Sequence, residues 1–207
     1  MIRGTFALLM TMAGCLMTAS AASAQMSASM ERYPAMNTAG RAKPPIGHIT
    51  FCERHPDECV RHGEQVTMVL DHENWQQLLE VNHKVNLTVT PVTDMDYYKT
   101  EEFWTIPSNF GDCEDYVLLK RRTLIEQGWP SGALLITVVF DENNEGHAIL
   151  IARTDRGEFV LDNKVPAIKV WYDTPYRYVK RQSEYDPMQW VSINDRRRME
   201  EDVASIR

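Results

Sequence analysis

The stretch Gly111-Asp112-Cys113-Glu114-Asp115-Tyr116 leads into an amphipathic run that extends to Gln127 and is stopped by Gly128. Val117, Leu118, Leu124 and Ile125 recur at helical spacing, while Lys120, Arg121 and Arg122 are expected to be exposed or to extend their charged ends out of the stripe. Gly128 suits the position after a helix end, and Pro130 blocks simple continuation. The pattern predicts a helix with Cys113 at its start. There, unpaired backbone N–H groups and the helix dipole favour a thiolate over a thiol.

Downstream, residues 133–140 are strongly β-prone, 141–146 form a polar turn, 147–152 read as a second strand, 154–157 as a turn, and 158–161 as a third strand. His147 opens the second strand and Asp162 follows the third. In an antiparallel meander both fall at the same end of the sheet, where their side chains can meet. Further strands are expected at 167–172 and 176–180. A thiol nucleophile needs an imidazole to exchange its proton and a third group to orient that imidazole. Cys113, His147 and Asp162 supply these types in order, with Asn163 a second candidate for the orienting role. The Cys113 backbone N–H is the natural first donor of an oxyanion hole. No second donor can be read from the chain.

Upstream of the cysteine, Asp71 is suited to cap a helix to about residue 82 that carries Trp75, Leu78, Leu79 and Asn82 on one face. Trp75 reads as a core anchor. Asn82 and Asn86 are suited either to tie neighbouring backbone segments together or to face solvent. Residues 91–104 form a mixed connection whose Asp94, Asp96, Glu101 and Glu102 serve either surface charge or a nearby cation site. Residues 49–60 read as a loop bracketed by Cys52 and Cys59, which are seven positions apart around Pro56. Val66 to Leu70 is a short extended entry.

Residues 1–24 read as a signal peptide, with Arg3 as the basic region, an interrupted apolar run, and Ala22-Ser23-Ala24 before the cut. The apolar run is too short to span a bilayer comfortably. A lipoprotein signal ending at Gly14-Cys15 is the rival, opposed by Met12 and by the apolar residues that continue past the cysteine. Periplasmic export without a transmembrane segment in the mature chain is expected. Residues 25–47 read as a flexible mature N-terminus, 48–195 as one domain, and 196–207 as a polar tail. Cys15 leaves with the signal. In an oxidising compartment Cys52 and Cys59 are then candidates for a disulfide, with Cys113 wanted free for chemistry; two reduced cysteines near a turn are the alternative. The net charge of -7 becomes one unit more negative when Arg3 is removed. Such a chain is ill suited to nucleic acid, whose binding leans on Lys and Arg neutralising phosphates. The sequence has no repeat, P-loop, dinucleotide fingerprint or zinc-ligand series; Cys52, His55 and Cys59 are too few for a closed metal site.

Gly111-Asp-Cys-Glu-Asp-Tyr116, Gly146-His147 and Leu161-Asp162-Asn163 resemble the three catalytic blocks of the bacterial transglutaminase-like cysteine peptidases, the group that includes LapG-like periplasmic adhesin-processing proteases. The similarity extends through Phe51-Cys52, Pro56 and Cys59, Trp75, Asn82 and Asn86, Asp94, Trp104-x-x-Pro107, residues 180–183 and Trp190. The resemblance implies an α+β, papain-like or transglutaminase-like core, with Cys113 as nucleophile, His147 as base and acid, and Asp162 as orienting residue. It also implies calcium dependence through Asp112 and Glu114, with Asp115 a weaker candidate. Physically, carboxylates around Cys113 oppose its thiolate, and a bound cation offsets that field. The alternative is simple charge stabilisation of a helix start. The implied partners are a large surface adhesin as protein substrate and an inner-membrane regulatory receptor. A transglutaminase or other acyl transferase, or a non-catalytic calcium-dependent interaction module, are the competing functions.

Overall fold

The apolar run Leu134–Phe140, here β4, is the centre of the computed structural model, which describes residues 32–195 together with Arg197. Seven strands form one antiparallel sheet in the order β1-β9-β8-β4-β5-β6-β7. They are β1 (Thr38–Ala42), β4, β5 (Gly146–Thr154), β6 (Gly157–Leu161), β7 (Lys169–Val170), β8 (Arg177–Gln182) and β9 (Trp190–Ile193). β2 (Thr90–Pro91) and β3 (Phe110–Gly111) make a separate parallel pair. The helices are α1 (Ile46–Arg54), α2 (His72–Thr88), α3 (Asp94–Tyr97) and α4 (Cys113–Glu126).

β4 reads as a continuous apolar run because both its faces are covered. Leu134 and Ile136 join Leu150 and Ala152 of β5 in the core shared with α2 and α4, whereas Leu135 and Val139 join Ile149, Ile151 and Val160 on the opposite face with Tyr176 and Tyr178. The meander expected from the sequence is present, with Leu135 opposite Ile151 and Ile151 opposite Val160. α4 also has its expected bounds, ending before Gly128, whose φ is +97°. Among the described residues, no helix is long and apolar enough to cross a membrane.

Several local expectations change. Thr38–Ala42, inside the segment read as flexible, is an edge strand paired with β9, itself unseen in the sequence. The expected cysteine loop is largely α1, followed by a 3-10 turn at Pro56–Cys59. Phe51 and Cys52 are buried on α1, so its apolar anchoring is short and easily overlooked. α2 is capped by Asp71, which accepts from Asn74 N at 2.8 Å, but it runs to Thr88 because Val81 and Val85 continue the buried stripe. The strand expected at 167–172 shrinks to β7, with a 3-10 turn following. Lys120 and Arg121 do not project outwards. Both are buried; Arg121 donates to the carbonyls of Leu134 (3.1 Å) and Glu58 (3.0 Å), which ties α4 to the sheet and to the 3-10 turn. The signal-peptide reading and nearly all of the polar tail lie outside the described residues.

Cys52 and Cys59 form a disulfide that joins α1 to the 3-10 turn. Their sulfurs are therefore not available as a pair of thiolate ligands, although His48 Nε2 lies 3.5 Å from Cys52 Sγ. Closing this short loop restricts the unfolded chain, so Cys52→Ser with Cys59→Ser should lower stability by about 2 kcal/mol. Urea unfolding of the two proteins under oxidising conditions measures that difference, and the wild type with reductant should approach the variant.

Candidate active site

α4 begins where β3 ends. Asp112 occupies the cap position in an extended conformation without a side-chain cap bond, and Cys113 is the first helical residue. Gly111 allows the turn to close on the helix: a Cβ there would lie 2.7 Å from the Asp115 side chain. The Tyr116 hydroxyl donates to the Val89 carbonyl, anchoring the first turn to the end of α2. Cys113 Sγ accepts from Ala148 N at 3.4 Å, which brings the helix start onto β5, and it donates to Glu114 Oε2 at 3.0 Å.

His147 and Asp162 meet as the meander requires. Leu150 pairs with Leu161, so Asp162 lies just beyond the last rung and diagonal to His147 on the same sheet face. The imidazole Nε2 is 2.9 Å from Asp162 Oδ1, and both side chains are buried. An ionised carboxylate only accepts, so this bond assigns the proton to Nε2. Nδ1 is buried and has no hydrogen-bond partner among the described residues.

The carboxylate is held from several sides. Oδ1 also accepts from Lys164 N at 2.9 Å, Oδ2 accepts from the Tyr176 hydroxyl, and the Asp162 carbonyl accepts from Asn86 Nδ2 at 2.8 Å. Asn82 Nδ2 donates to the Pro166 carbonyl at 3.0 Å. Both amides therefore tie α2 to the segment after β6 and do not face solvent. Burial opposes the Asp162 charge, but the His147 bond and charge, the Tyr176 hydroxyl and the Lys164 N–H outweigh it and hold the carboxyl below its ordinary pKa. Asn163, the second candidate for orienting His147, does not hold the imidazole. Cys113, His147 and Ala148 border a cavity of ≈ 210 Å³, with Glu102, Trp104, Glu114 and Lys180 also on its walls.

A carboxylate group adjoins the cysteine. Ligand oxygens of Asp94, Asp112 and Glu114 all lie within 4.8 Å of one another. Asp94 N donates to Asp112 Oδ2 at 3.3 Å, Phe103 N donates to the Asp94 carboxylate, and buried Asp112 Oδ1 has no partner among the described residues. Asp115 is placed differently. Its Oδ1 accepts from Thr105 N at 2.8 Å, and it does not join the three. The third carboxylate beside Asp112 and Glu114 is Asp94, from the acidic stretch 91–104, which α3 brings to α4, while Asp115 Oδ2 is buried without a partner among the described residues.

Burial, then Glu114 and Asp94, push Asp112 up to about 8, and burial raises Glu114 as well. Burial also takes Asp115 to about 8. The Cys113 thiol is pushed well above its ordinary value by burial and then by Glu114. The helix start does not by itself yield a thiolate, contrary to the simple expectation, because burial of the sulfur, and then the neighbouring Glu114, oppose its ionisation.

An antiparallel sheet packed against a helix headed by a free cysteine, with a histidine–carboxylate pair at the adjoining sheet end, is the papain-like and transglutaminase-like form of α+β fold. Residues 38–198 match the family described as bacterial transglutaminase-like cysteine proteinase, and the chain belongs to that family of cysteine peptidases. No curated protein matches the chain. Among solved structures, it is similar to Legionella pneumophila LapG at 24% identity, with 63% of this chain and 76% of that chain covered and a TM-score of 0.50. The calcium-bound form of Legionella pneumophila LapG aligns at 23% identity over 58% of this chain and 71% of that one, with a TM-score of 0.49. The EGTA-treated form gives 24%, 59%, 68% and 0.49 for the same quantities.

Tyr176→Phe removes one donor from the buried Asp162 carboxylate while retaining the ring that packs 5.6 Å from His147. It should cost about 1–3 kcal/mol in urea unfolding, the penalty for an unsatisfied buried charged acceptor.

Proposed function

We propose that this chain is a calcium-dependent periplasmic cysteine endopeptidase in which Cys113 is the nucleophile, His147 the general base and acid, and Asp162 the group that orients His147. The observation that carries the reading is the pairing of His147 Nε2 with buried Asp162, which leaves Nδ1 as the ring nitrogen without a partner, in a histidine that borders the same cavity as Cys113.

In this mechanism Nδ1 takes the Cys113 proton as sulfur attacks a peptide carbonyl. The Cys113 backbone N–H, at the start of α4, is the first donor to the resulting oxyanion. Imidazolium then gives its proton to the departing amine. Water, deprotonated by His147, hydrolyses the thioester and returns the thiol. Asp162 remains ionised throughout and stabilises the imidazolium.

Asp94, Asp112 and Glu114 would hold the calcium ion. Three converging hard oxygen donors and the partnerless Asp112 Oδ1 fit calcium, whereas they are poorly matched to thiophilic metals. When bound, the ion supplies positive charge that offsets the carboxylates raising the Cys113 thiol pKa. In the same reading the substrate is a large surface adhesin and an inner-membrane receptor regulates access to it. Membership of a cysteine-proteinase family supports a polypeptide substrate, and the adhesin and the receptor rest on the resemblance of the Cys113, His147 and Asp162 blocks to LapG-like proteases. Acyl transfer to an amine would proceed from the same thioester, so cleavage assays should include a labelled primary amine. Fragment formation without amine incorporation is the expected result.

Cys113→Ala should abolish turnover of a matched adhesin fragment, and His147→Ala should reduce it by about 10,000-fold; Asp162→Asn should cost about 1,000-fold or more through loss of imidazole orientation. Single-turnover rates, with circular dichroism to establish that each variant is folded, check these outcomes. Wild-type cleavage by folded Cys113→Ala would remove the proposed nucleophile.

Calorimetric titration of chelated protein should show calcium binding, a raised melting temperature and restored cleavage, with magnesium less effective because it demands a tighter octahedral shell. Asp94→Asn should weaken calcium binding by at least about 10-fold, since a ligand charge count sets such affinities. Absence of heat and of thermal stabilisation would assign the carboxylates to the helix start alone.

A further inference from the structure

Lys180 lies on the wall of the cavity bordered by Cys113 and His147. Arg153 and Arg181 are paired with Glu158, Arg122 with Glu58, and Lys164 with Asp141, at 2.7 to 3.0 Å. Lys180 makes no ion pair among the described residues. Its Nζ donates to the Lys43 backbone carbonyl at 2.9 Å and lies 5.8 Å from the Trp190 ring. An ammonium has three N–H donors, so two remain after that bond. The carbonyl and the indole restrain the partly buried side chain at the wall of the cavity that also contains Cys113 and His147.

A cation in this position has consequences for substrate choice. Its charge is embedded in a surface that is acidic as a whole, and the carboxylates on the cavity wall, Glu102 and Glu114, are not paired with it. Glu102 is close enough to act on Lys180 through its field but not to form a salt bridge. Glu114 belongs to the proposed ion-binding group. Partial burial strengthens attraction between the ammonium and an incoming carboxylate relative to bulk water, and the fixed Nζ limits the ordering needed for recognition.

We infer that Lys180 is a specificity-determining residue that receives an acidic side chain of the polypeptide substrate close to the bond being cut. This rests on the proposed cleft as the peptidase site and adds a substrate chemistry to it. The opposite-charge contact supplies selection through attraction of Asp or Glu and repulsion of Lys or Arg at one substrate position. The Lys43 tether predicts a defined position for that preference, because a freely moving lysine would instead spread it over several positions.

The experiment uses the calcium-loaded full chain with Cys113→Ala, so that bound peptides are not consumed. Random peptides displayed on phage are selected against this protein and against versions that also carry Lys180→Met, Lys180→Arg or Lys180→Glu. With Lys180 present, Asp or Glu should be enriched at least about 5-fold at one position relative to Lys180→Met; Lys180→Arg should retain the preference, and Lys180→Glu should shift it towards Lys or Arg. Melting curves establish that loss of the Lys43 bond has not unfolded a variant, and the arginine variant tests charge with the fold retained. No acidic enrichment, or the same enrichment after charge reversal, overturns the assignment. The enriched peptides are then given to protein with Cys113 intact. Binding with the expected charge response but no cleavage would refute the catalytic reading while leaving charge selection by Lys180 in place.

Discussion

Negative charge is concentrated at the start of α4, and the neighbouring architecture must accommodate it. Asp112 and Glu114 flank Cys113 in sequence, while the fold adds Asp94 from α3. Burial penalises ionisation of Asp112, Glu114 and the thiol, and neighbouring carboxylates add to that cost. A cysteine peptidase nevertheless requires access to a thiolate. The same carboxylates that oppose it provide the oxygen-rich environment through which a cation can reverse the local field. Helix dipole and carboxylate cluster therefore act in opposite directions on Cys113.

The histidine–carboxylate pair is built by different physics. His147 and Asp162 lie on adjoining strands, where antiparallel register sets their approach before any local turn geometry is considered. Around Asp162, hydrogen bonds from a side-chain hydroxyl, a backbone N–H and His147 counter the cost of burying its charge. Asn86 reaches the carbonyl of the same residue from α2. The helical layer thus supports the imidazole through Asp162, while α4 presents the sulfur through the Cys113–Ala148 contact. Accurate placement depends on both layers.

Much of this arrangement is legible in the chain. The apolar stripe after Cys113, the Gly128 stop and the three β-prone runs follow from local periodicity and turn chemistry, and they put the cysteine, histidine and aspartate in the correct elements. Less regular stretches carry less information. α1 has one short buried face and is secured by a disulfide, β1 is an edge strand whose partner lies far along the chain, and Lys120 is buried despite its charge because the core surrounds it.

Local periodicity sets the helix that begins at Cys113 and the meander bearing His147 and Asp162, since periods of 3.6 and 2 residues follow from backbone geometry. Packing alone brings Asp94 to Asp112 and Glu114 while Asp115 turns to Thr105, and it sets Lys180 on the wall of the cavity beside Cys113. These relations span separate elements. Local propensity records which face a residue prefers, whereas the distance between charges on α3, α4 and β8 exists only after the helices have packed against the sheet.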